Sequence, residues 1–175
     1  LVISILSGPT GAGKSTWCIE KSRRIDGVVV SADHFMMPKL FQDLDITIYR
    51  GVQLRDYLRL RENNSFYYEF NPEMLGEAHP GCFRAYIEAL MKGDENIIVD
   101  NTSVNAWEKS PYVLAAQAYG RDYEIVRFET PLDRCIEQSK VEDKEIVRKH
   151  YHVHHNRNDA GNRVNHLPWW SEVQA

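Results

Sequence analysis

LVISILSGPTGAGKSTW, residues 1–17, decides the fold. Leu1 to Leu6 reads as an apolar run that ends just before a glycine, which suits a strand buried on both faces of a parallel sheet. Gly8 to Ser15 then matches G-x-x-x-x-G-K-[ST], the phosphate-binding loop, and a helix is expected to open near Lys14. Gly8, Gly11 and Gly13 are expected to adopt backbone conformations closed to other residues, so that successive N–H groups face an anion. The helix start adds unpaired N–H groups and the positive end of its dipole. A nucleoside triphosphate would therefore be bound along Gly8, Thr10, Gly11, Ala12, Gly13, Lys14, Ser15 and Thr16. Lys14 would reach the β- and γ-phosphates, and the Ser15 hydroxyl would ligate Mg²⁺.

With 175 residues, 43% of them hydrophobic and 26% charged, the chain can bury the core of one compact domain. No apolar stretch is long enough to cross a membrane, so no membrane partner is expected. Cys18, Cys82 and Cys135 lie far apart in no metal-like spacing, and their odd number argues against a disulfide framework. An intracellular, cytoplasmic setting is the expectation. A net charge of -4 does not advertise a protein that coats nucleic acid, although a small basic pocket for one strand end stays open. Oligomeric state is left undetermined.

Strand and helix alternate along the chain, as in a parallel sheet wrapped by crossovers. Helix is expected over Thr16 to Ile25, Trp107 to Tyr119 and Glu142 to Asn156. Pro72 to Lys92 is expected to be mostly helical, broken or bent at Pro80-Gly81. Strands are expected at Gly27 to Ser31, Asn96 to Asp100 and Tyr123 to Phe128. Met36 to Phe70 departs from the alternation and reads as an insert. It carries arginines at 50, 55, 59 and 61; Arg55 and Arg59 share a helix face, which we read as solvated rather than as an anion contact.

Two carboxylates follow apolar strands. Asp33, in SADHF, lies where the carboxyl ends of parallel strands open onto a ligand crevice. There it could accept a hydroxyl proton as the oxygen attacks phosphorus, or instead cap a helix. Asp100, in IIVDNT, resembles a Walker B carboxylate that holds Mg²⁺, and capping is again the alternative. The histidines of HYHVHH, at 150, 152, 154 and 155, lack a carboxylate or cysteine to complete a metal set. They read as solvated or base-contacting. Trp169-Trp170 could stack on bases or pack on the core.

The phrases GPTGAGKSTW, VSADHF, YEFNPEMLGEAH and IIVDNTSVNAWEKSPYVLAAQAYG together resemble the kinase module of the phage polynucleotide kinase family and its eukaryotic relatives in ubiquitin-ligase-binding proteins. The resemblance spares only the insert and about the last twenty residues. It implies an α/β fold, a P-loop kinase-like parallel sheet with helices on both faces, as a single domain over 1–175 with an insert at about 36–70 and a lid near 138–145. It further implies transfer of the ATP γ-phosphate to a 5'-hydroxyl of DNA or RNA. Lys14 and Ser15 would serve the phosphates and Mg²⁺, Asp33 would be the general base, and Asn101 and Thr102 would lie beside the substrate.

Two departures stand out. Phage members follow the base with a second Asp and then an Arg that meets the nucleic-acid phosphate, where this chain has His34 and Met36. PLDRCIEQSK also runs directly into VEDKEIVRKHY, without the usual basic lid. Either the lid is absent or a mobile loop belongs between Lys140 and Val141, and the second is our expectation. A kinase of a small hydroxylated metabolite or nucleoside, and a slow ATPase switch, are the alternative functions.

Overall fold

The computed structural model describes residues 2–44, 51–63, 66–159 and 172–175. Arg50, Trp169 and Trp170 lie outside them. The sheet is six-stranded, in the order β3-β2-β4-β1-β5-β6, with β1 at Ile3–Ser7, β2 at Val28–Val30, β3 at Val52–Gln53, β4 at Ile97–Val99, β5 at Tyr123–Arg127 and β6 at Glu172–Gln174. Every pairing is parallel except β2 with β3, where Val28 meets Gln53 and Val29 meets Val52. The helices are α1 Lys14–Ser22, α2 Pro38–Asp43, α3 Leu54–Glu62, α4 Leu75–Lys92, α5 Ala106–Ala118, α6 Leu132–Gln138 and α7 Lys144–Asp159.

Because successive strand residues point to opposite faces, each central strand supplies two cores. Ile3, Ile5, Val28, Val30, Ile97, Val99 and Ile125 pack with α4 and α5. Leu6, Val29, Ile98 and Val126 pack on the other face with Cys18 of α1, Tyr57 of α3, Cys135 of α6 and Val147 of α7. Both faces are covered by helices, which is why the strands are apolar without alternation. The expected fold is observed.

Three features differ from the expectations. The insert contributes a strand as well as the expected helix, because β3 joins the sheet edge before α3 begins. Of the expected break or bend at Pro80-Gly81 the break does not occur, since α4 is helical throughout Leu75–Lys92. Gly81 is where α4 meets the ring of Phe35, and an added Cβ there would overlap that ring, so burial against the turn after β2 outweighs the helix-breaking cost of the pair. β6, which no sequence signal announced, extends the sheet beside β5, with Val173 opposite Val126. Between α6 and α7 the chain makes a tight turn: Lys144 Nζ donates to the carbonyls of Ser139 and Val141, each at 2.9 Å.

Candidate functional site

The loop from Gly8 to Gly13 lies between β1 and α1, at the carboxyl end of the sheet. Gly11 and Gly13 have φ of 81° and 101°, the left-handed region that the motif requires. Gly8 does not; its reason is steric, since a Cβ would sit 2.8 Å from Cβ of Phe128. Neighbouring elements pin the loop. Gly8 N donates to Thr102 O at 3.0 Å, and Thr130 Oγ1 donates to Ala12 O at 2.7 Å. Lys14 Nζ folds over the loop and donates to Gly8 O at 2.8 Å and Pro9 O at 3.0 Å. Burial lowers its pKa, while the charges of Asp100 and Asp33 pull it back up.

Asp33 sits in a single 3-10 turn, Ala32–Met36, whose cap is Ser31: its hydroxyl accepts from Asp33 N at 3.2 Å. The capping role therefore belongs to Ser31, and the Asp33 carboxylate is left to the site. Water reaches Asp33, yet enough protein surrounds it that desolvation pushes its carboxyl above the usual range, against the charges of Lys14, His79, His150 and Arg61. Asp100 follows β4 and is half-buried. Burial raises its pKa most and Asp33 adds to this, while Lys14, Arg61 and a hydrogen bond from Cys18 oppose it. Lys14 thus shares a field with both carboxylates and favours their charged forms, while burial remains the larger influence on each group.

Asn101 and Thr102 hold this geometry together. Asn101 Oδ1 accepts from Ala32 N at 2.9 Å, tying the Asp33 turn to the end of β4, while its Nδ2 faces Cys82 Sγ at 3.5 Å. Thr102 gives its carbonyl to Gly8. His34 and Met36 are buried. Burial lowers the His34 pKa to about 3, so its ring is neutral at physiological pH. Neither position can offer a charge to a nucleic-acid phosphate.

Residues from distant segments also arrive here. On α7, His150 Nδ1 and Thr10 Oγ1 share a hydrogen bond at 2.9 Å, and His154 Nε2 lies 3.5 Å from Ser7 Oγ. Burial, with Lys109 and Lys14 nearby, lowers the His154 pKa to about 4. His154 is buried against the end of β1, which departs from the solvated reading, whereas His150 stays exposed while it bonds Thr10. Thr16 is exposed on α1. Among the described residues no group of three His, Cys, Asp or Glu side chains could by itself hold a metal. Ser15 Oγ and the Asp100 carboxylate are instead a pair of hard oxygen donors, which suits an ion that shares its shell with phosphates and water.

Arg55 and Arg59 are exposed, and Arg59 lies 3.7 Å from Asp56 of its own helix. Replacing both with glutamine is expected to leave nucleotide affinity and its salt dependence within about twofold, because exposed pairs contribute little. A titration of nucleotide binding against ionic strength checks this. Arg61 turns the other way: its Nη2 donates to Ser15 Oγ at 3.1 Å. The sequence did contain a clue, since Arg61 follows the apolar face of α3 marked by Leu54, Tyr57 and Leu60, all fully buried.

A parallel sheet whose first strand enters a glycine loop clasping a lysine, with carboxylates at the ends of β4 and after β2, defines a P-loop nucleotide-binding domain of the kinase-like type. The chain belongs to the AAA domain family, whose profile matches residues 3–152. It is similar to human NEDD4-binding protein 2, with 29% identity over 155 residues; the match covers 87% of this chain but 7% of that protein. A gluconokinase from Sinorhizobium meliloti 1021 shares the fold with a TM-score of 0.52 at 9% identity, over 98% of this chain and 81% of that one. The APS kinase of Mycobacterium tuberculosis, solved in complex with AMPPNP and APS, aligns with a TM-score of 0.48 at 18% identity, over 84% of this chain and 73% of that one. Among the described residues no helix is long and apolar enough to cross a membrane.

Proposed function

We propose that this chain transfers the γ-phosphoryl group of ATP to the 5'-hydroxyl of a DNA or RNA end. The observation that carries the reading is the position of Asp33, in the field of Lys14 and accessible to water, so that an acceptor hydroxyl can reach it. The loop N–H groups and Lys14 would hold the β- and γ-phosphates. Ser15 and Asp100 would hold Mg²⁺, which supplies charge neutralisation across those phosphates. Asp33 takes the proton of the attacking hydroxyl as its oxygen bonds to the γ-phosphorus, and the bond from phosphorus to the leaving ADP oxygen breaks. Asn101 would keep the Asp33 turn at its distance from β4 and, with Thr102, border the acceptor.

A nucleic-acid acceptor is favoured by an aromatic run beside the base. Tyr67, Tyr68 and Phe70 are 61%, 48% and 59% exposed, and Glu69 N between them donates to Met36 O of the Asp33 turn at 2.7 Å. The charge of Asp33 contributes to raising the Tyr68 pKa, after burial. Exposed rings at this place would stack a terminal base. One observation favours the second reading, a nucleoside or small hydroxylated metabolite: His34 and Met36 are buried where a phosphate-binding side chain would serve a longer strand. Three buried, unpaired cysteines fit a reducing interior.

Incubation with γ-labelled ATP and Mg²⁺ is expected to place label on a 5'-hydroxyl oligonucleotide and to leave a 5'-phosphorylated control unlabelled. Label on a nucleoside or sugar acid instead would move the assignment to the second reading. Label only in free phosphate would make the chain a nucleotide switch.

A further inference from the structure

Arg61 reaches the nucleotide loop from the insert. It stands one turn after Tyr57 on α3, a helix that packs against α1. Its Nη2 and Nε donate to the Tyr57 hydroxyl at 3.1 and 3.3 Å, and the same Nη2 donates to Ser15 Oγ at 3.1 Å. The guanidinium lies 4.1 Å from the centre of the Phe66 ring and 5.3 Å from that of Tyr57. The two rings meet edge to face at 4.8 Å. An arginine held by an aromatic wall and a phenol has lost its rotamer freedom before any ligand arrives. Its charge also reaches Asp100 and Asp33 and favours the ionised form of each against burial.

Ser15 Oγ and Asp100 are the groups this site offers to a divalent cation. Mg²⁺ sits about 2.0–2.1 Å from its oxygens. A guanidinium nitrogen on the same oxygen would then face a divalent charge at very short range, in a partly buried site where charges are weakly screened. One hydrogen bond does not offset such repulsion. The two cations therefore exclude one another from Ser15.

We propose that Arg61 competes with the metal for Ser15: its guanidinium donates to the Ser15 hydroxyl and gives that oxygen up when Mg²⁺ enters with the nucleotide. α3, and the insert that carries it, is thereby coupled to the filling of the site. This rests on the nucleotide-and-metal reading of the loop and not on the acceptor, so failure to find a phosphorylated oligonucleotide leaves it standing.

The test is calorimetric binding of ADP to the whole chain across a Mg²⁺ titration, for wild type, Arg61→Gln and Tyr57→Phe. Without the competing charge, the Mg²⁺ concentration that half-saturates ADP binding falls about three- to tenfold in Arg61→Gln, the scale of a partly exposed charge interaction. Tyr57→Phe, which loosens the guanidinium while keeping the buried ring, shifts it in the same direction by less. ADP affinity at saturating Mg²⁺ stays within about twofold. An unchanged or raised Mg²⁺ requirement overturns the proposal. So does a loss of ADP affinity in the absence of Mg²⁺, which would make Arg61 a phosphate ligand. If Arg61→Gln does not fold, Tyr57→Phe decides by the same readout.

Discussion

Lys14→Ala lowers phosphoryl transfer by about 10³-fold or more and weakens nucleotide binding. A charge that follows the migrating group acts most where charge develops in the transition state, and single groups of this kind contribute about 10² to 10⁵. The ammonium donates to the carbonyls of Gly8 and Pro9, at the centre of the loop it would serve. Its loss also deprives Asp100 and Asp33 of the first of the charges that favour their ionised forms. Lys14→Arg keeps a positive charge but replaces a compact ammonium with a planar fork, and it recovers only part of the rate. Circular dichroism separates catalysis from folding. Wild-type transfer by a folded Lys14→Ala chain would remove the loop from the chemistry.

Asp33→Asn lowers transfer to the acceptor by about 10² to 10⁴-fold, the usual contribution of a positioned base, while ATP binding holds. Two pH signatures accompany it. Because desolvation by the surrounding protein pushes the Asp33 carboxyl above the usual range, the acidic limb of the wild-type rate profile lies above the ordinary aspartate value, and asparagine removes that limb. The sign for stability is opposite to that of a salt-bridged aspartate. A carboxyl whose folded pKa is raised stabilises the fold below its unfolded pKa, and the contribution is lost as pH rises through the folded value. Above its folded pKa the ionised Asp33 is thus a net cost, and there Asp33→Asn unfolds at an equal or higher temperature than wild type. The difference narrows as pH falls toward the ordinary aspartate range. Thermal melts over that window, run beside transfer assays, test both statements. A lower melting temperature at neutral pH would show that Asp33 holds the fold.

The sequence alone determined the parts of this protein whose cause is local. A glycine run after an apolar strand requires left-handed backbone at Gly11 and Gly13 and a helix opening at Lys14, wherever the rest of the chain goes. Strands such as Val28–Val30 and Ile97–Val99 are apolar at every position, which already implies helices on both faces. Asp33 and Asp100 are legible because the end of a parallel strand is by construction the ligand edge.

Tertiary structure decided what depends on where distant segments meet. Arg55, Arg59 and Arg61 are alike in sequence, and only the packing of Tyr57 and Leu60 onto the sheet sends the third toward Ser15 and the other two to solvent. The histidines of α7 look like a solvated cluster until the helix settles on the loop and brings His150 to Thr10. His34 and Met36 neighbour Asp33 in sequence, yet one 3-10 turn sends them into the core and leaves Asp33 outside. β6 pairs with β5 through backbone hydrogen bonds that leave no mark on composition. A side chain's type and spacing prescribe its local conformation, but its partners are set by the burial of residues elsewhere in the chain, and that became visible only once both cores had formed.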